Sequence, residues 1–240
     1  MPRSIPALEI CLDSLEGVRI ARDAGANRVE LCASFTEGGV TPSHGLIALA
    51  ALQGIPVNVL VRPRAGDFRY SSFEIEVMLE DVWAVKSLGM NGVVIGALSE
   101  NLELDLEVMK TFIQAARPLE ITFHRAFDQV SKPFEILEQL IELGVRRILT
   151  SGQQASAELG IPLLKNLVKL ARGRISIMPG AGINASNARQ IWQETGAREL
   201  HFSAFELLET AKPKVSVGKL DMRMVTTPTK IKAVQASLKS

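Results

Sequence analysis

Four times along this 240-residue chain a helix-stopping glycine is followed by a short polar link and an apolar run: AGANRVEL from Ala24, LGMNGVVI from Leu88, LGVRRILT from Leu143 and TGARELHF from Thr195. The glycines, Gly25, Gly89, Gly144 and Gly196, stand 64, 55 and 52 residues apart. A strand with its crossover helix takes roughly 25 to 35 residues, so each interval holds two such units. The additional strands are present as IPVNVLVRPR from Ile55, PLEITFHR from Pro118 and RISIMPGAG from Arg174, with PALEIC from Pro6 opening the series. Eight short β-rich runs alternating with helical patterns predict eight parallel strands in a (β/α)8 TIM barrel rather than an open doubly wound sheet.

One domain of this kind uses the whole length. A single barrel takes about 250 residues, and a 47% hydrophobic chain can fill its core. No apolar run reaches the roughly 18 residues of a membrane span, and no basic, apolar, small-residue leader opens the sequence. A cytoplasmic protein with no membrane association is the expectation. Cys11 and Cys32 are too few for a secreted disulfide framework, so reduced thiols are expected. Residues 211–240 carry a charge of +6 within a chain of net +1. That segment has neither a dense lysine run nor an aromatic residue for base stacking, which argues against nucleic acid and for a solvated face.

Helices are expected at Ser14–Ala24, from Thr41-Pro42 through Leu52, at Ser72–Leu88, Asp105–Ala115, Lys132–Leu143, Ile161–Ala171 and Ala185–Thr195. An eighth regular helix is not expected. After a barrel covering residues 1–204, residues 205–240 read as an irregular arm: Leu220, Met222 and Met224 alternate with charged residues at a strand period. Ile231, Val234 and Leu238 suggest a short amphipathic turn or two near the end. Such an arm would lie either on a partner, giving a homodimer, or on the barrel's own flank.

In a TIM barrel the functional groups sit at the carboxyl ends of the strands. Here those ends supply Glu9, Cys11, Glu30, Cys32, Arg62, Arg64, His124, Arg125, His201 and the glycines Gly180 and Gly182 of PGAGIN. Alternation places Glu9 with Cys11, and Glu30 with Cys32, on shared inner faces, because a charged glutamate is rarely packed against an outer helix. Three readings follow. Cys11 and Cys32 can converge as a soft site for Cu(I), with His124 or His201 as further ligands, or be small buried apolar residues. Alternatively the barrel is an enzyme for a small anionic metabolite, a phosphate or carboxylate. Gly180, Gly182, Arg64 and Arg125 would then hold the anion, while Glu9, Glu30, Arg62 and His124 carry acid-base chemistry. In the third, Glu9, Glu30, Arg62 and His124 form a network that fills the lumen without turnover.

The stretches LEICLDSLEGVRIARDAGANRVELCASFTEGGVTPSHG, VLVRPRAGDFRYS, FEIEVMLEDV, TFHRAFD, ILTSGQQASA and HFSA resemble the CutC family, historically called copper homeostasis proteins. The resemblance runs from about Leu8 to Ala204. It implies a (β/α)8 barrel with a C-terminal extension, a dimeric assembly and cytoplasmic copper handling, with Cys11 and Cys32 at the family's cysteine positions. Gln153 stands where the family pattern leads one to expect glycine, which puts an anion loop after the sixth strand in doubt. The loop RPRAGDFRYS, with Arg64, Asp67 and Tyr70, reads as a lid over the barrel mouth or as a salt-bridged surface loop.

Overall fold

The computed structural model describes residues 5–209 and 222–239. Eight parallel strands alternate with helices: β1 Ala7–Leu12, α1 Leu15–Asp23, β2 Arg28–Leu31, α2 His44–Ala51, β3 Val57–Leu60, α3 Ser72–Ser87, β4 Gly92–Ile95, α4 Leu106–Ala116, β5 Glu120–Phe123, α5 Pro133–Glu142, β6 Arg147–Thr150, α6 Ile161–Ala171, β7 Ser176–Pro179, α7 Ala188–Thr195 and β8 Glu199–Ser203. Neighbours in sequence are neighbours in the sheet from β1 to β7, and β8 pairs with β1, which makes a nearly closed barrel. The glycine punctuation has a simple basis. Gly25, Gly89, Gly144 and Gly196 all take a left-handed φ, between +69° and +78°, just after a helix end.

Capping fixes where the helices begin. The Ser14 side chain accepts the Gly17 N–H, and Ser71 with Glu74 forms a reciprocal capping box at the start of α3. In the second unit Ser43, rather than Thr41, caps the helix. Thr41 instead exchanges hydrogen bonds with the Arg62 backbone.

The expectation for the C-terminal arm needs correction. A regular eighth helix, α8, runs from Pro228 to Lys239. It is displaced along the chain by an antiparallel hairpin, β9 Phe205–Glu209 with β10 Met222–Thr226. Leu220 lies outside the described residues. The Thr227 N–H bonds the Ala204 carbonyl at 2.8 Å, so the chain returns to the end of β8 before the helix starts. Ile231, Val234 and Leu238 fall on one stripe at intervals of three and four, and all are buried as α8 packs between α7 and α1. Gln235 ties it down by donating to the carbonyls of Ala24 and Gly25. The helical signal is short because only Ile231, Val234 and Leu238 are buried against the barrel and the rest of α8 is small or polar.

Candidate functional site

The period of two along each strand decides what enters the lumen. Glu9 aligns with Arg28 on β2 and with His201 on β8, Glu30 with Asn58, Gly92 with Glu120, and Thr122 with Arg147. Glu9, Arg28, Glu199, Arg147, Glu120, Asn91 and Asn58 meet in a closed ring at the amino-terminal end of the lumen. Arg28 bridges Glu9 and Glu199. Arg147 bridges Glu199 at 3.1 Å and Glu120 at 2.8 Å. Asn91 donates to Asn58 at 2.8 Å and to Glu120 at 3.5 Å, and Asn58 closes the ring on Glu9 at 3.1 Å. Gly92 makes room, since a Cβ there would stand 2.7 Å from Asn58 Oδ1 and 2.6 Å from the Glu120 carbonyl.

Above the ring, toward the carboxyl ends, lie both thiols. The two sulfurs are 3.7 Å apart, and Cys11 donates to Glu30 Oε1 at 3.3 Å. His201 Nδ1 is 2.9 Å from Glu9 Oε1, while its Nε2 faces Glu30 Oε1 at 4.0 Å. One donor atom from each of Cys11, Glu30 and His201 lies within 4.8 Å of the others. Leu60 and Val94 wall off this cluster, with Phe35 packed against it. Glu30 Oε2 is buried without a hydrogen-bond partner among the described residues.

Electrostatics separates the carboxylates. Burial pushes the Glu9 carboxyl up, but the bond to His201 and the Arg28 charge overcome it and hold its pKa at about 2. Burial dominates at Glu30 and raises its pKa despite the facing His201. For His201 burial disfavours the imidazolium, yet the Glu30 charge and the bond to Glu9 outweigh it, so its pKa is raised. The neighbouring Cys32 sulfur, burial and Glu30 together push the Cys11 thiol well above 9. Cys11 is therefore protonated near neutrality.

The other sequence-selected residues are distributed differently. His124 and Arg62 are buried at the mouth, but neither joins the thiol cluster. The His124 Nδ1 accepts the Ala126 N–H at 3.2 Å, and Arg62 donates to the carbonyls of Glu37, Gly39 and Gly66 at 2.8–3.0 Å. Arg62 thus sits on backbone oxygens, and Arg28 takes the role expected of it beside Glu9. Arg64 lies in the loop after β3, engaged by Glu74 and Asp67. Arg125 pairs with Asp128 at 2.8 Å.

Asp128 also explains Gln153. Its carboxylate accepts the N–H groups of Ser151 and Gln153 and the hydroxyls of Thr150 and Ser151. The loop after β6 therefore has the donors of an anion loop, filled by the protein's own carboxylate. Gln153 takes φ +59° without glycine, anchored by its side-chain amide on the Val130 carbonyl. At PGAGIN, Gly180 leaves space for Leu149, and the Gly182 carbonyl accepts from Asn184 and Asn187.

Sequence reasoning missed Arg28, Arg147 and Glu199. The first could have been found by stepping back two residues from Glu30, and Glu199 by stepping back two from His201. Their parity is the same as that of the residues already chosen.

A sequence profile of the CutC family matches residues 6–206. The family protein CutC of Pasteurella multocida strain Pm70 is 54% identical over 197 residues, covering 82% of this chain and 81% of that protein. The human copper homeostasis protein cutC homolog is 47% identical over 198 residues, covering 82% and 72% respectively. A crystal structure of CutC from Streptococcus agalactiae superposes with a TM-score of 0.79 at 35% identity over 82% of this chain and 98% of that one. Thiamine phosphate pyrophosphorylase from Pyrococcus furiosus shares the barrel at TM-score 0.60 and 15% identity, covering 98% of this chain and 96% of that one, a likeness of fold alone. With lumen, thiol pair and mouth loops all inside the matched span, the chain belongs to the CutC family.

Proposed function

We propose that this protein binds Cu(I) through Cys11 and Cys32 in copper homeostasis, with His201 as a third donor and Glu30 beside it. The observation that carries this reading is the 3.7 Å separation of the sulfurs. Two thiolates bound to one ion through bonds of about 2.3 Å at a near-tetrahedral angle stand about that far apart, and soft sulfur donors favour Cu(I). The donor set fits in other ways. His201 Nδ1 is fixed by Glu9, which leaves Nε2 toward the cluster, a carboxylate-histidine arrangement that orients a ligand. The human relative, a copper homeostasis protein cutC homolog by name, supports the same assignment. A pair of free thiols accords with a reducing compartment, and we assign the protein to the cytoplasm.

The test is an anaerobic Cu(I) titration against a competing chelator. Stoichiometric binding is expected in the reduced protein, with its loss in the Cys11→Ser, Cys32→Ser double variant. Because Cys11 is held protonated, the ion must displace thiol protons, so affinity rises with pH. The expected gain between pH 6 and pH 8 is about 10-fold or more per unit. Binding that is unchanged in the double variant, or a preference for Zn(II) under the same conditions, would reject the assignment.

We also propose a homodimer through the C-terminal arm. The described part of the arm covers its own barrel, with Arg223 near Glu16 and the Phe205 ring 5.8 Å from Phe35. Leu207 and Leu208, on opposite faces of β9, are nevertheless about half exposed, at 47% and 52%. Sedimentation equilibrium should give twice the mass of the 26.1 kDa chain, and the Leu207→Glu, Leu208→Glu variant should return it to the monomer. A monomeric wild type would sink this assembly.

A further inference from the structure

Arg62 is a buried cation that no carboxylate of the described residues faces. It is 6% exposed, and among the described residues its guanidinium meets three backbone carbonyls and the Phe68 ring, 5.0 Å from its centre, and no acidic side chain. Removing a charge from water without a counter-ion costs several kcal/mol, so such an arginine usually has an anion opposite it. Its Nε–H has no acceptor among the described residues.

The same ring of Phe68 lies against His124, with centres 4.7 Å apart. His124 is 4% exposed and its Nε2 lacks a partner among the described residues. Since Nδ1 accepts the Ala126 N–H, the proton of the neutral imidazole sits on Nε2, which makes it a second donor. Burial and the Arg62 charge keep the ring neutral, with a pKa of about 3. The Tyr70 hydroxyl, from the same loop as Phe68, is a third buried polar atom here without a partner among the described residues. Apart from Glu30 Oε2 in the thiol cluster, these are the lumen and mouth groups left over among the described residues: Arg62 and His124 share the Phe68 ring, and the Tyr70 hydroxyl feels the Arg62 charge.

We propose that the barrel mouth binds a small oxyanion, a carboxylate or phosphate group, on the Nε–H of Arg62 and the Nε2–H of His124 beneath the loop carrying Phe68 and Tyr70. Only an acceptor satisfies both donors, and only a negative one balances the guanidinium. The site lies beside the thiol cluster and shares no residue with it, so either assignment can fail alone. Access requires the loop of residues 63–71 to lift. Its anchors are the Leu98 N–H on the Phe68 carbonyl at 2.9 Å, the Arg62 guanidinium on the Gly66 carbonyl at 2.8 Å, and the Arg64–Glu74 pair that ties it to the start of α3. Gly96 completes the seat, because a Cβ there would stand 2.6 Å from the His124 ring.

The experiment titrates inorganic phosphate and, separately, pyruvate into the wild-type protein at constant ionic strength, reading heat and the Nε2 nitrogen resonance of His124. Saturation by one of them with Kd below about 10 mM, with movement of the His124 signal, is expected. Phosphate alone would identify a phosphate-bearing ligand, and pyruvate alone a carboxylate. In His124→Phe, which keeps a ring but removes the donor, affinity should fall about 10-fold or more. Where that variant fails to fold, the wild-type resonance decides. No saturation by either anion, or binding that leaves the His124 signal unmoved, overturns the proposal.

Discussion

Replacing Arg28 by methionine is expected to destabilise the protein by about 3 to 5 kcal/mol, because it leaves two buried carboxylates without their shared cation. Arg28 bridges Glu9, which is fully buried, and Glu199, which is 9% exposed. Methionine fills much of the same volume, so the loss reports charge rather than a cavity. The expectation concerns breaking the ring, not its worth against an apolar filling, which can be as stable. Urea unfolding should show the midpoint lowered by about 1 M or more with little change in slope. Arg28→Lys, which keeps the charge but loses the fork that reaches both carboxylates, should fall between. The acid limb gives a second reading. Glu9 is depressed from 4.5 to about 2, so its contribution is present above about pH 4.5 and is lost as pH falls toward 2. In Arg28→Met, with one holder of the Glu9 charge gone, acid unfolding should begin at higher pH. A midpoint within experimental error of wild type would mean that Glu9 finds its stabilisation elsewhere.

That ring also shows why part of the lumen was legible in the sequence and part was not. Glu9 and Glu30 stood out because each precedes a cysteine by two, and glutamate inside an apolar run demands an inward partner. Arg28 did not, because it opens its run and reads as part of the polar link after Gly25. Only its register opposite Glu9 turns it inward. Arg62 misled for the opposite reason. Its position after β3 is at the functional end, but its long side chain reaches the carbonyls of the flanking loops, a destination that no strand period encodes. The eighth helix was obscured by distance, since a hairpin separates it from the strand it serves. The barrel itself was readable because glycine after each of four helices must adopt a left-handed φ, a local requirement that survives any tertiary context. The convergence of Cys11 and Cys32, open in the sequence, became a definite 3.7 Å contact only when β1 and β2 were placed side by side.

Gly160→Ala is expected to cost about 3 kcal/mol, although glycine has no conformational privilege there. Its φ is −83°, a value that alanine adopts freely. The obstacle is purely one of space. A Cβ would stand 1.8 Å from the Ser151 carbonyl oxygen and 2.9 Å from the Gly152 Cα, and backbone cannot swing aside as a flexible side chain can. Gly144→Ala is the matched control, with φ at +76° and nothing within 4 Å of the added carbon, so it carries only conformational strain of about 1 to 2 kcal/mol. Thermal or urea unfolding should therefore rank Gly160→Ala below Gly144→Ala, contrary to what backbone angles alone would predict. The damage should also be local. Pushing Ser151 and Gly152 away from the start of α6 pulls the Ser151 and Gln153 amides off Asp128, so their amide resonances should shift and their hydrogen exchange accelerate. Arg125, which depends on Asp128 and Ser151 for its place at the mouth, should move with them. Equal stability of the two variants would show that the β6–α6 connection yields more readily than its close backbone packing implies.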